Sequence, residues 1–79
     1  MYLEIVSPEK KLYGGDIKAL KVPGSNGSFG ILRDHAPLIS ILKKGKIKIT
    51  DKNDKEELLE INGGVIEVLK NNIVILAKF

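Results

Sequence analysis

A period of two, carried in short runs and broken by turn residues, limits this chain's folding more than any other feature. Lys46-Ile47-Lys48-Ile49-Thr50 is the clearest run. Its isoleucines fall on one face and its lysines and threonine on the other, the pattern of a strand with one buried and one wet face. Tyr2 to Val6 reads as a strand that ends before Pro8, and Asp16 to Val22 as a strand closed by Pro23-Gly24. Within the latter, Ala19-Leu20 breaks the alternation and marks a bulge. Ser28 to Leu32, Pro37 to Leu42, Glu56 to Asn62, Val65 to Lys70 and Ile73 to Ala77 complete the series. Glu56 to Ile61 has helical propensity but is too short for a stable helix.

The separators carry turn chemistry. Asn71-Asn72 is expected as a tight hairpin, because Asn tolerates positive φ. Asp51 to Lys55 reads as a polar loop tip, and Gly63-Gly64 as a corner or bulge that needs residues without Cβ. About eight to ten short strands at this spacing predict an all-β fold, a small two-sheet β-sandwich or barrel with no substantial helix. No linker or low-complexity tract interrupts it, so residues 1–79 are expected to form one domain. Ile47, Ile49, Ile61, Val68 and Val74 are the expected core. A domain this small buries only about 60% of its unfolded surface, so it must pack well or lean on a partner.

Composition removes several function classes. There is no Cys, hence no disulfide staple, thiolate metal site or thiol nucleophile, and a reducing compartment fits. No apolar run approaches the ~20 residues of a membrane span. The start, Met1-Tyr-Leu-Glu-Ile-Val6, has neither the basic region nor the long apolar stretch of a signal peptide. The formal charge of +3 comes from scattered lysines with a single Arg33. Aromatics are confined to Tyr2, Tyr13, Phe29 and Phe79. Nucleic-acid surfaces favour Arg forks and clustered stacking rings, so the excess reads as a solvated surface.

The chain also offers little for chemistry. His35, the one histidine, sits in the polar turn Leu32-Arg-Asp-His-Ala-Pro-Leu38. Asp34 is its neighbour, but no Ser stands in a nucleophile elbow, so His35 reads as a structural or interface residue rather than a general base. No catalytic residue, cofactor site or metal site is expected. Asp51-Lys-Asn-Asp54 lacks the glycine and terminal glutamate of a calcium loop. Pro23-Gly-Ser-Asn-Gly-Ser-Phe-Gly30 is glycine-rich, yet a strand follows it where a phosphate loop needs Lys-Ser/Thr and a helix. It reads as a sharply folded loop whose glycines take positive φ and whose Phe29 anchors it on the core. Lys52, on an exposed loop, leaves open a lipoyl-type carrier domain. A small basic β-barrel that binds nucleic acid through its lysines is the other alternative.

Taken in order, the motifs resemble the N-terminal β-sandwich domain of the F-type ATP synthase epsilon subunit (delta in mitochondrial naming). They are Leu3-Glu-Ile-Val-Ser-Pro-Glu9, Val22-Pro-Gly-Ser-Asn-Gly-Ser-Phe-Gly-Ile-Leu32, His35-Ala-Pro-Leu38, Leu42-Lys-Lys-Gly45, Ile61-Asn-Gly-Gly-Val-Ile-Glu-Val68 and Ile73-Val-Ile-Leu-Ala77. The resemblance covers nearly the whole chain. It implies a non-catalytic block at the foot of the central stalk, with the gamma subunit and the membrane c-ring as partners. Such a block would couple ion-driven ring rotation to gamma, on the cytoplasmic face of a bacterial plasma membrane, and would reach the membrane only through the complex. By matching positions, Gly24, Ser25, Asn26, Gly27 and Ser28 are expected to face the c-ring, and Ser7, His35 and Ser40 to approach gamma. Family members often carry acids in the glycine-rich loop where this chain has Asn26 and Ser28, so neutral hydrogen bonds are expected there in place of ion pairs to basic ring loops. The family usually continues into a C-terminal helical hairpin that binds ATP and restrains rotation in some members. This sequence stops at Phe79, so the chain as given is expected to support coupling without sensing ATP or inhibiting hydrolysis.

Overall fold

A computed structural model describes all residues, 1–79, and contains eight strands and no helix. They are β1 Tyr2–Val6, β2 Lys11–Gly24, β3 Gly27–Leu32, β4 Leu38–Leu42, β5 Gly45–Asp51, β6 Glu56–Ile61, β7 Gly64–Leu69 and β8 Asn72–Ala77. All eight expected runs are strands. The largest difference is β2, which begins at Lys11 rather than Asp16 and runs for 14 residues.

That length builds the architecture. The first half of β2 pairs with β1, from Asp16↔Tyr2 to Lys11↔Val6. Its second half pairs with β3 on one edge and β5 on the other. The register to β5 slips between Ile17 and Ala19, so Lys18 is the extra residue of a bulge, one position before the expected break. A bulge bends and twists its strand, and here it lets β2 serve two layers. One layer is β4-β7-β8-β1 continuing into β2; the other is β3-β2-β5-β6. β1 and β8 run parallel, and every other pairing is antiparallel.

Between the layers lies one cluster of 15 buried apolar residues. Leu3, Ile5, Leu42, Ile66, Val68, Ile73, Ile75 and Ala77 come from the first layer. Ile17, Leu20, Val22, Ile31, Ile47, Ile49 and Ile61 come from the second. Each fully buried Ile or Leu contributes about 1.5–3 kcal/mol through transfer out of water. Four of the five expected core residues are there. Val74 is not: its neighbours Ile73 and Ile75 point inward, so period-two geometry turns Val74 to the outer face, where it is half-buried.

The β7–β8 hairpin is also displaced from expectation. Leu69 pairs with Asn72, so the two turn residues are Lys70 (φ 50°) and Asn71 (φ 62°) rather than Asn71-Asn72. Both are left-handed, the conformation of a two-residue turn whose twist suits a hairpin. At the other corner Gly64 takes φ 157°, and a Cβ there would lie 2.3 Å from the Leu76 carbonyl oxygen. Only glycine fits that approach of β7 to β8.

Candidate functional site

The glycine-rich segment is a hairpin. Gly24 pairs with Gly27, leaving Ser25 and Asn26 as an exposed tip. Of its glycines only Gly27 (φ 126°) has positive φ. Gly24 is required by closeness: a Cβ would stand 2.6 Å from the Gly27 carbonyl oxygen and 2.6 Å from the Phe29 ring. Phe29 is half-buried against the core and holds the hairpin down. The tip is locked to the start of the β4–β5 corner. Ser25 N–H donates to Ile41 O at 3.0 Å, and Lys43 N–H donates to Pro23 O at 2.8 Å.

His35 lies in the turn between β3 and β4, and its setting is made by a residue far away in sequence. Asp34 N–H donates to Asn71 Oδ1 at 2.7 Å, and Asn71 Nδ2 donates to Asp34 Oδ1 at 3.0 Å. This paired bond ties the turn to the β7–β8 hairpin and holds Asp34 at φ 64°. His35 N–H then donates to Leu32 O at 3.2 Å. The ring Nδ1 lies 2.7 Å from Ala36 O; a carbonyl can only accept, so Nδ1 carries the proton. The Asp34 carboxylate is thus engaged with Asn71, and the His35 ring with its own turn.

These elements border one cleft of about 440 Å³ where the two layers part between β3 and β4. Gly24, Asn26, Gly27, Ser28 and Phe29 line one side; His35, Leu38 and Ser40 complete it. The structure therefore brings most of the expected ring-facing loop together with two of the three expected gamma-facing residues. Ser7 is elsewhere. It follows β1 and lies beside Val6, Pro8, Val65, Leu76 and Lys78. Lys52 is exposed in the β5–β6 loop, where Asp51 Oδ1 accepts from Asn53 N–H at 2.8 Å and Lys55 N–H at 3.0 Å. No group of three His, Cys, Asp or Glu side chains is placed to hold a metal ion.

A second surface escaped the sequence reading. Along β4, Leu38, Ser40 and Leu42 turn inward, while Ile39 (72% exposed) and Ile41 (65%) turn outward. Register continues them across the layer. Ile41 pairs with Val65, Val65 with Leu76 and Leu76 with Val6; Ile39 leads through Glu67 to Val74. Leu76 is 55% exposed and Val65 38%. The outer face of β4-β7-β8-β1 is thus a contiguous aliphatic surface, of the kind that marks a protein interface. Its signal was present: β4, β7 and β8 are nearly continuous apolar runs, which strands adopt when both faces are covered. Ser7 stands at one flank of this face, and Ser40 sits on β4 between Ile39 and Ile41.

Two ionisable groups are perturbed. Lys11 is raised, chiefly by its hydrogen bond to Glu4, with an N–O separation of 3.3 Å. Burial raises the Tyr13 phenol, and the Glu57 and Asp51 carboxylates add to it. Both lie outside the cleft lining.

The chain is a small all-β sandwich domain of two closed layers, with an apolar outer face and a polar hairpin cleft. Comparison with known proteins gives the family. The model of the ATP synthase delta/epsilon chain β-sandwich domain matches residues 1–79, and the chain belongs to that family. It is similar to the ATP synthase epsilon chains of Campylobacter curvus and Campylobacter concisus, with 43% identity to each over 77 residues. That match covers 98% of this chain and 60% of each relative, so the chain spans about three fifths of their length. Among solved structures it is similar to a chain of the Euglena gracilis mitochondrial ATP synthase (OSCP/F1/c-ring), with TM-score 0.89 and 19% identity, covering 95% of this chain and 48% of that one. It is also similar to a chain of the Tetrahymena thermophila mitochondrial ATP synthase central stalk and c-ring. There the TM-score is 0.82 at 15% identity, covering 99% of this chain and 63% of that one. At these identities the structural likeness establishes the fold. The relatives give no support to a carrier domain modified at Lys52 or to a nucleic-acid-binding barrel.

Proposed function

We propose that this chain is a non-catalytic part of the central stalk of an F-type ATP synthase and couples ion-driven rotation of the c-ring to the gamma subunit. The observation that carries the proposal is the match of the delta/epsilon sandwich family over residues 1–79. The surfaces suit the role. A closed β block with its core filled transmits torque without an internal hinge. The aliphatic outer face offers the area for durable burial against gamma. Of the proposed gamma-facing residues, Ser7 flanks that face, while Ser40 and His35 line the cleft on the opposite side of β4. Gly24, Ser25, Asn26, Gly27 and Ser28 are proposed to meet the ring. The chain acts as one unit over 1–79, on the cytoplasmic side of the bacterial plasma membrane, and reaches the membrane only through the complex. Capture of the tagged chain from its native host recovers ATP synthase gamma and the c-ring under this reading. Repeated recovery of other partners alone contradicts it.

A further inference from the structure

One charge interrupts the aliphatic outer face, and it has no partner. Strands β4, β7 and β8 read Leu38-Ile-Ser-Ile-Leu42, Gly64-Val-Ile-Glu-Val-Leu69 and Asn72-Ile-Val-Ile-Leu-Ala77, so Glu67 is their single ionisable residue. Its neighbours Ile66 and Val68 are buried, which turns the Glu67 carboxylate to the outer face, where it is exposed. Register sets it in the row Ile39–Glu67–Val74–Glu4. Glu4, the other acid of that row, is answered by Lys11 at 3.3 Å. The remaining ion pairs, Lys18–Asp54 and Lys48–Glu56, also leave Glu67 out.

The surface around this carboxylate is shaped. Ile39, Val65, Val74 and Leu76 wall a shallow depression of about 200 Å³, with Glu67 as its one polar lining residue. A second depression of about 380 Å³ adjoins the first across Ile39 and Glu67. An aliphatic wall with one carboxylate is complementary to a long side chain that carries a cation on a methylene stem. Energetics make the same demand. Covering this face with a protein surface strips water from Glu67, and an ionised carboxylate buried without a cation is strongly unfavourable.

Resting on the assignment of this face to gamma, we infer that Glu67 anchors an arginine of gamma. The guanidinium pairs with the carboxylate, and the methylene stem lies on Ile39, Val65, Val74 and Leu76. Arginine fits better than lysine. Its fork matches both carboxylate oxygens, it is more weakly hydrated than an ammonium, and it is enriched at interfaces where lysine is depleted. A single charge pair also fixes register on a face whose aliphatic residues alone would let a partner slide.

The test uses ATP synthase assembled with this chain. Complex carrying Glu67→Gln, which keeps the shape and removes the charge, should release the subunit about tenfold faster than wild type. Glu60→Gln, at an exposed site on β6, should leave release unchanged. Glu67→Lys should release faster still, and one Arg→Glu change among the surface arginines of gamma should restore its retention. If Ile41→Thr with Leu76→Thr loosens the subunit while Glu67→Gln holds as well as wild type or better, the carboxylate meets no cation. The inference is then wrong, and the assignment of the face to gamma stands. If neither change loosens the subunit, the face does not meet gamma, and the inference falls with that assignment. If Glu67→Gln loosens it but no gamma arginine restores Glu67→Lys, the anchor is not an arginine of gamma and the inference is overturned.

Discussion

The two layers of this sandwich share one core but present opposite outer faces. In the second layer β5 alternates strictly, with Ile47 and Ile49 inward and Lys46, Lys48 and Thr50 outward. Lys48 pairs with Glu56 across to β6 at 3.2 Å, a wet surface laced with charge. In the first layer β8 reads Ile73-Val-Ile-Leu-Ala77, and β4 reads Leu38-Ile-Ser-Ile-Leu42. The inward residues of β8 are as well buried as those of β5, and on β4 Leu42 is buried while Leu38 and Ser40 are half-buried; the outward apolar residues of both strands do nothing for the core. A strand's hydrophobic pattern thus records both of its faces, not the core-facing one alone.

That contrast can be broken by substitution, and the largest effects belong to the shared core. Ile75 is fully buried, and Ile75→Ala should cost about 2–5 kcal/mol of stability in a denaturant titration. Gly64→Ala, which drives a Cβ onto the Leu76 carbonyl, should cost more than about 2 kcal/mol. The outer aliphatic face should behave otherwise. Ile41→Thr with Leu76→Thr should change the stability of the chain by under about 1 kcal/mol. Retention of the pair-substituted chain in the assembled complex should nonetheless fall about tenfold or more. Equal losses of stability for the core and outer-face variants would erase the distinction between the layers.

On the wet layer, Lys48→Met removes an exposed ion pair and should shift stability by under about 0.5 kcal/mol, an effect that salt abolishes. The smallest effect is at high pH. The folded-state pKa of Tyr13 is raised above the ordinary 10.0. A raised pKa means that the folded state holds the proton more tightly. Its contribution is therefore complete below pH 10.0 and is lost as pH rises through the folded value. Stability measured above pH 10 should decline less in Tyr13→Phe than in the parent chain.

Strand existence was legible in the sequence because alternation and turn residues agreed at nearly every boundary. The start of β2 was not, since Leu12-Tyr13-Gly14-Gly15 neither alternates nor favours a strand; its pairing with β1 overrides local propensity. The hairpin slip at Lys70-Asn71 has a similar origin. Register with β7 fixes which two residues turn, and it forces a lysine into the left-handed region. Of the candidate site, the hairpin loop could be read from its glycines and the resemblance. The Asp34–Asn71 bond could not, because it joins residues 37 positions apart that only the topology brings together. The aliphatic face was visible in the continuous runs of β4 and β8, but a continuous run does not say which residues face outward, and only the register divided them. Val74 is the example: expected inside, it stands on the outer face.

Coupling by contact alone makes a measurable demand on ATP-driven ion pumping. Membranes bearing ATP synthase without this subunit should hydrolyse ATP with little pumping. Adding the chain should restore pumping, and the chain carrying both Ile41→Thr and Leu76→Thr should restore much less at the same concentration. If the chain binds the complex stoichiometrically and pumping stays absent, it is not the coupling element proposed here.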